Sequence, residues 1–253
     1  MITSTTPSSW QDLQQQSARI LAECGFAVEV EKKVKLVRGQ AEIDVYAEET
    51  LKGRKYIILC ECKHWKIAVP QTVVHAFRSV MADVGAHKGY IISSSGFQSG
   101  SRDAAEMTNV ELVTWDQFQN AFEASWLESC FTPVITSKLD PLMGFSEPFL
   151  PPSFPKWSEA DQKQYLRLKD ELDPLGWFAM SVSVYTFQLR DGYPPLPLKN
   201  IPDPTGKYNG LPPDIMSAEG YRELLEACLG HGEPAIAKFR ATRDRNNEAI
   251  GKY

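Results

Sequence analysis

A chain of 253 residues with 43% hydrophobic and 23% charged side chains is long enough for one large domain or two small ones with real cores. Its net charge of −5 is spread evenly: residues 1–130 carry 13 basic against 16 acidic side chains, and residues 131–253 carry 14 against 16. That balance excludes a polycation that coats nucleic acid by charge alone. No apolar run approaches bilayer length, the N-terminal MITSTTPSSW lacks a signal-peptide layout, and a cytoplasmic location is expected. Five scattered cysteines argue against a disulfide framework, and Cys60-x-Cys62 has no partner pair or histidine cluster at zinc spacing.

Taken in chain order, the spacing of Trp10, Leu13, Ser17, Ile20, Leu21 and Cys24 predicts a helix closed by Gly25. "FAVEVEKKVKLV" alternates as a half-exposed strand does, "AEIDVYA" follows after a turn, and the apolar start of "YIILCECK" predicts a central strand. Pro70 opens a helix over Gln71–Val84. "KGYIIS" is a short buried strand, and the "SSSGFQSGS" turn that follows it places Ser95 as the cap of a helix near Arg102–Met107. "VELVTW" is a last strand, and an amphipathic helix runs from Asp116 to about Cys130. Three hairpin-connected strands followed by helix-separated strands predict an α/β fold with a mixed sheet flanked by helices.

Beyond about Asp140 the texture changes. The reading is a domain over 1–135, a proline-rich linker over 136–157 and a C-terminal α+β region over 158–253 whose function no motif assigns. Within that region a helix is expected over 158–172, one or two strands in "WFAMSVSVYTFQLR", and helices over 217–229 and 233–248.

Strand alternation puts Glu61 and Lys63 on one face and Cys60 and Cys62 on the other. The same rule sets Glu42, Asp44 and Tyr46 opposite Ile43 and Val45. If the two strands are neighbours, Asp44 sits beside Glu61, and two carboxylates that close need a cation between them. An oxygen-ligated divalent ion such as Mg²⁺ answers that need, with the Cys62 carbonyl as an extra ligand and Lys63 as its electrostatic partner at a phosphate. The plain alternative for an acid followed by E-x-K is a cross-strand ion pair at a sheet edge. Gln71, at the start of the next helix, is a further candidate because helix N-termini suit phosphate. Lys32, Lys33, Lys35 and Arg38, with Lys52, Arg54 and Lys55, are the local basic segments available to a polyanion.

With those residues in view, "AEIDVYAEE", "YIILCECKHWKIAVPQTVVHAFRSV" and "GYIISSSGFQSGSRDAAEMTNVELVTWDQF" resemble the catalytic domain of Mrr-like restriction endonucleases, of the PD-(D/E)xK nuclease superfamily. The resemblance covers about residues 8–125. It implies a restriction-endonuclease-like core and Mg²⁺-dependent hydrolysis of DNA phosphodiesters, with Mn²⁺ able to substitute, in a restriction or phage-defence setting. Asp44, Glu61 and Lys63 match the family's D…E-x-K. Two departures stand out. Gln14, Gln15 and Gln16 occupy the stretch of the first helix where many relatives carry a glutamate, and Gly39 lies a little early for the glycine that precedes the acid-bearing strand. The alternative reading is a nuclease-fold module with weak or no catalysis that binds nucleic acid or assembles with protein. A homodimer is the expected assembly for cutting both strands, and the C-terminal region is the place for a further partner.

Overall fold

A computed structural model describes residues 1–37, 39–186 and 192–250, and divides them into two compact units, Met1–Ser129 and Cys130–Tyr253. In the first, α1 (Trp10–Glu23) is followed by β1 (Ala27–Leu36), β2 (Gly39–Leu51) and β3 (Arg54–Lys63). Then come α2 (Gln71–Val84), β4 (Lys88–Ser93), α3 (Ser99–Ala105), β5 (Val110–Val113) and α4 (Trp115–Trp126). The sheet order is β1-β2-β3-β4-β5, antiparallel from β1 to β3 and parallel from β3 to β5. The mixed sheet expected from the hairpin and helix-crossover pattern is therefore present.

The hairpin joining β2 to β3 turns on Lys52 and Gly53, both at positive φ (49° and 78°), as a two-residue turn matched to strand twist requires. α2 and α3 cover one sheet face: Leu59, Ile91, Val74, Phe77 and Met81 share an apolar cluster there. Full burial of an aliphatic side chain such as Leu59 or Ile91 stabilises by about 1.5–3 kcal/mol. α1 and α4 cover the other face, where the Tyr90 ring meets Phe118 and Phe122 edge-on at 5.5 Å. Ser9 caps α1 and Thr114 forms a capping box with Gln117 at α4.

Several local expectations are corrected. Trp10 is 47% exposed, while Gln14 joins Leu13, Ser17 and Leu21 on the buried side of α1. The helix after β5 ends at Trp126 and passes into a π-helical turn over Leu127–Phe131. Ser95 does not cap α3; its hydroxyl donates to the Ile67 carbonyl at 2.6 Å.

The second unit is helical among its described residues, not α+β, with α5 (Thr132–Ser146), α6 (Glu159–Ser181), α7 (Pro213–Ser217) and α8 (Tyr221–Ile250). α5 occupies the first part of the expected 136–157 linker, because Ile135, Leu139, Leu142 and Met143 present a buried face that outweighs Pro141. The expected strand in "WFAMSVSVYTFQLR" is replaced by the end of α6, where Leu175, Phe178 and Ala179 are buried at helical spacing; its last residues, 187–190, lie outside the described residues. The two expected C-terminal helices are one, running through Gly230, Gly232 and Pro234. α5, α6 and α8 pack on one another around Tyr165 and Phe239, whose rings meet at 5.2 Å.

Candidate metal and phosphate site at a forked strand pair

β2 and β3 pair from Leu51↔Arg54 as far as Val45↔Cys60 and then part. Beyond that point β3 continues beside β4 to Lys63↔Ser93, while β2 continues beside β1 to Gly39↔Leu36. Asp44 and Glu61 are the first residues past the fork.

Strict alternation fails here. Ile43 and Tyr46, three residues apart, both pack into the cluster against α2, so the expected placement of Ile43 opposite Tyr46 is corrected. On β1, Val30↔Val45 and Lys32↔Ile43 are paired, but Glu31 between them sits at φ 54°. A left-handed residue in mid-strand costs about 1–2 kcal/mol and marks a local twist. The twist turns Asp44 into the gap between the strands. Its Oδ2 accepts the Cys62 backbone N–H at 2.7 Å, and its Oδ1 accepts the Gln14 side-chain N–H at 2.9 Å.

Each Asp44 oxygen keeps a lone pair free for a ligand. The N–H and C=O of one strand residue leave the same edge, so the Cys62 carbonyl also points toward β2, where no ladder partner is paired to it. Glu61 and Lys63 lie on the α2 face, 24% and 17% exposed, and their side chains are in contact as an ion pair. Burial raises the Glu61 carboxyl above its ordinary range and repulsion from Asp44 adds to this, while Lys63 opposes both. Burial likewise pushes the Cys60 and Cys62 thiols up, and on β3 both side chains face away from Glu61 and Lys63.

The donor set is therefore hard: two carboxylates and a backbone carbonyl. Among the described residues no group of three or more His, Cys, Asp or Glu side chains gathers to hold a metal. A two-carboxylate oxygen site fits Mg²⁺, which keeps several of its waters, better than zinc or calcium.

The structure thus brings Asp44, Glu61, Cys62 and Lys63 together, and singles out Gln14 from the three glutamines noted on the first helix as the one that reaches Asp44. The available signal was its place between Leu13 and Ser17 on the buried face of α1. Gln71 is placed differently: it is an exposed first residue of α2, and its side-chain oxygen lies against Gly100 of α3, 2.6 Å from where a Cβ would stand. Of the basic segments, Lys32 pairs with Glu29 at 2.6 Å, Lys33 with Glu42 at 3.9 Å and Lys55 with Glu48 at 2.5 Å. Exposed pairs such as Lys33–Glu42 are worth at most about 1 kcal/mol and yield readily to a phosphate, whereas Lys32 is half-buried and also lies 3.6 Å over the Tyr46 ring. Arg38 lies outside the described residues.

Residues 6–122 match the Mrr_cat family, described as restriction endonuclease. This segment is similar to an Mrr-type restriction-endonuclease domain. The matched segment contains the whole fork, from Gln14 to Lys63. A crystal structure described as a protein of unknown function, AF1548, is similar to the chain at 24% identity with a TM-score of 0.36. That similarity covers 46% of this chain and 66% of the other, just under two thirds of its length. No curated protein matches.

Proposed function

We propose that the protein is a divalent-metal-dependent endonuclease that hydrolyses DNA phosphodiester bonds, with Asp44, Glu61 and Lys63 as its catalytic residues. The observation that supports this reading is the fork itself: Asp44 and Glu61 are the first residues past the point where the two strands part, Asp44 accepts the Cys62 N–H, and Lys63 pairs with Glu61. Asp44, Glu61 and the Cys62 carbonyl would hold Mg²⁺, with Mn²⁺ substituting. Such an ion, when bound, polarises the phosphate and lowers the pKa of an attacking water.

The chain's own groups prepare that chemistry. Gln14 and the Cys62 N–H fix both Asp44 oxygens, so the carboxylate stays oriented. Lys63, held beside Glu61, donates to a non-bridging phosphate oxygen and offsets the negative charge that develops there. Gln71, at the N-terminus of α2, contributes at most to the approach of a flanking phosphate.

The setting that suits such an enzyme is restriction or phage defence in the cytoplasm, with a homodimer cutting both strands. Residues 136–253 supply target choice, assembly or a further partner. Among the described residues no helix is long and apolar enough to cross a membrane.

A second reading has its own support: Gln14 stands where a third carboxylate would strengthen metal binding, which favours a nuclease-fold module that binds nucleic acid without cutting. Calorimetric Mn²⁺ titration and plasmid nicking in Mg²⁺ separate the two. The endonuclease reading expects one Mn²⁺ per wild-type chain and nicking, both lost in Asp44→Asn. DNA binding with no ion bound and no nicking would move the assignment to the module.

A further inference from the structure

Beside Glu61 and Lys63 the first unit contains a cavity of about 270 Å³ whose remaining walls include Trp65, Ala76, Phe77 and Val80. One side of the space is therefore the proposed catalytic edge with Glu42 and Ile43 of β2, and the other is apolar helix and an indole. Trp65 is 40% exposed, and Ala76 is exposed on α2. Neither residue is spent on closing the core.

The segment that carries Trp65 is tied down. Ser94 donates its hydroxyl to the Trp65 carbonyl at 3.0 Å, and Ser95 donates to the Ile67 carbonyl at 2.6 Å. Val69 N–H donates to the Gly96 carbonyl at 3.0 Å, and Ser101 Oγ donates to the Val69 carbonyl at 2.6 Å. The Lys63 ammonium lies 5.3 Å from the indole centroid, which orients the ring next to the ion pair. An aromatic wall held in place this way loses little freedom when something flat stacks on it.

We propose that this cavity takes one unpaired nucleobase next to the scissile phosphate, stacked on Trp65 and resting on the apolar face of α2. The inference rests on the nuclease reading and names its substrate class: DNA with a bulged, mismatched or single-stranded nucleotide at the cut. The cavity falls below the roughly 300–1,000 Å³ of sites for drug-sized ligands, which suits a single base. Its walls suit the stacked, sequence-tolerant binding by which aromatic side chains hold unpaired bases. Taking a base out of the duplex is easiest where it is already unpaired, so selectivity follows from the substrate's own mechanics.

The test compares a fully paired duplex with the same duplex carrying one unpaired 2-aminopurine. The full-length protein is used with Trp65→Ala, Trp65→Phe and Ala76→Phe, all at exposed positions, with circular dichroism as the check on folding. Wild type is expected to cut the bulged duplex about tenfold faster than the paired one, beside the unpaired base. Trp65→Ala and Ala76→Phe should bring that ratio to about one, and Trp65→Phe should keep it; stacking aromatics are worth about 5- to 150-fold each. A ratio near one in wild type, or a ratio unmoved by both variants, overturns the proposal. Should wild type cut no DNA, the nuclease reading fails, and quenching of 2-aminopurine on binding then decides the pocket alone. Quenching lost in Trp65→Ala supports it, and equal quenching or none overturns it.

Discussion

Gln14 offers the sharpest perturbation of the fork, because one substitution changes the charge beside Asp44 without changing side-chain size. The residue is 2% exposed, and its amide stands 2.9 Å from Asp44 Oδ1. Gln14→Glu replaces that donor by a second carboxylate about 3 Å from the first, which at an effective dielectric near 20 repels by roughly 5 kcal/mol. Protonating one carboxyl relieves the clash; at pH 7 that costs about 1.36 kcal/mol per pH unit above its ordinary pKa of about 4.3, or roughly 3.7 kcal/mol. The smaller figure sets the limit, so Gln14→Glu should lose about 3 kcal/mol of stability in chelator. Millimolar Mg²⁺ should restore most of it, because a third carboxylate would enlarge the cation site. Gln14→Leu instead deletes a hydrogen bond to a charged group, worth about 1.5–3 kcal/mol, and its loss should not be rescued by the ion. Urea denaturation of both variants with and without Mg²⁺ is the assay. Equal stability of Gln14→Glu and wild type in chelator, or no selective rescue by Mg²⁺, would refute the geometry argued for the fork.

Three further outcomes are expected. Gly176→Ala should lower thermal stability even though alanine favours helix by about 1 kcal/mol, because its Cβ would lie 2.7 Å from the buried Ser146 Cβ; a higher melting temperature would contradict that packing. A thiol reagent at pH 8 should label one cysteine quickly in the native protein, Cys130, since Cys24, Cys60, Cys62 and Cys228 are buried and burial pushes Cys228 up to about 12; fast labelling of two or more would count against the core. DNA affinity should fall steeply and linearly on logarithmic axes between about 50 and 200 mM salt as Lys33 and Lys55 exchange carboxylates for phosphates, and a flat response would argue against direct DNA contact.

The N-terminal unit was readable because its signals are periodic and local: "FAVEVEKKVKLV" alternates, Lys52-Gly53 turns, and Pro70 starts a helix. The shared face of Glu61 and Lys63 was readable for the same reason, since alternation on β3 holds to its end. Asp44 stands at the fork, but the alternation argument that put it on the face of Glu61 does not hold, because the twist at Glu31 breaks that alternation. Gln14 was noted only as one of three glutamines where relatives carry an acid; its contact with Asp44 was not legible, because a polar residue on a helix usually faces water and only its distant partner explains its burial. In the second unit, Pro141, Pro174, Gly232 and Pro234 read as breaks, yet each lies inside a helix. Burial of Leu139, Phe178 and Phe239 outweighs those local penalties, which no short window of sequence displays.

The most direct test of the nuclease site is Lys63→Met, which keeps most of the side chain's unbranched length and removes its charge. Plasmid nicking in Mg²⁺ is measured beside Mn²⁺ binding and DNA affinity. The account expects the variant to bind the ion and DNA within a few fold of wild type while nicking falls at least 100-fold, the magnitude typical of losing one electrostatic contact in a transition state. Undiminished nicking by Lys63→Met would contradict it.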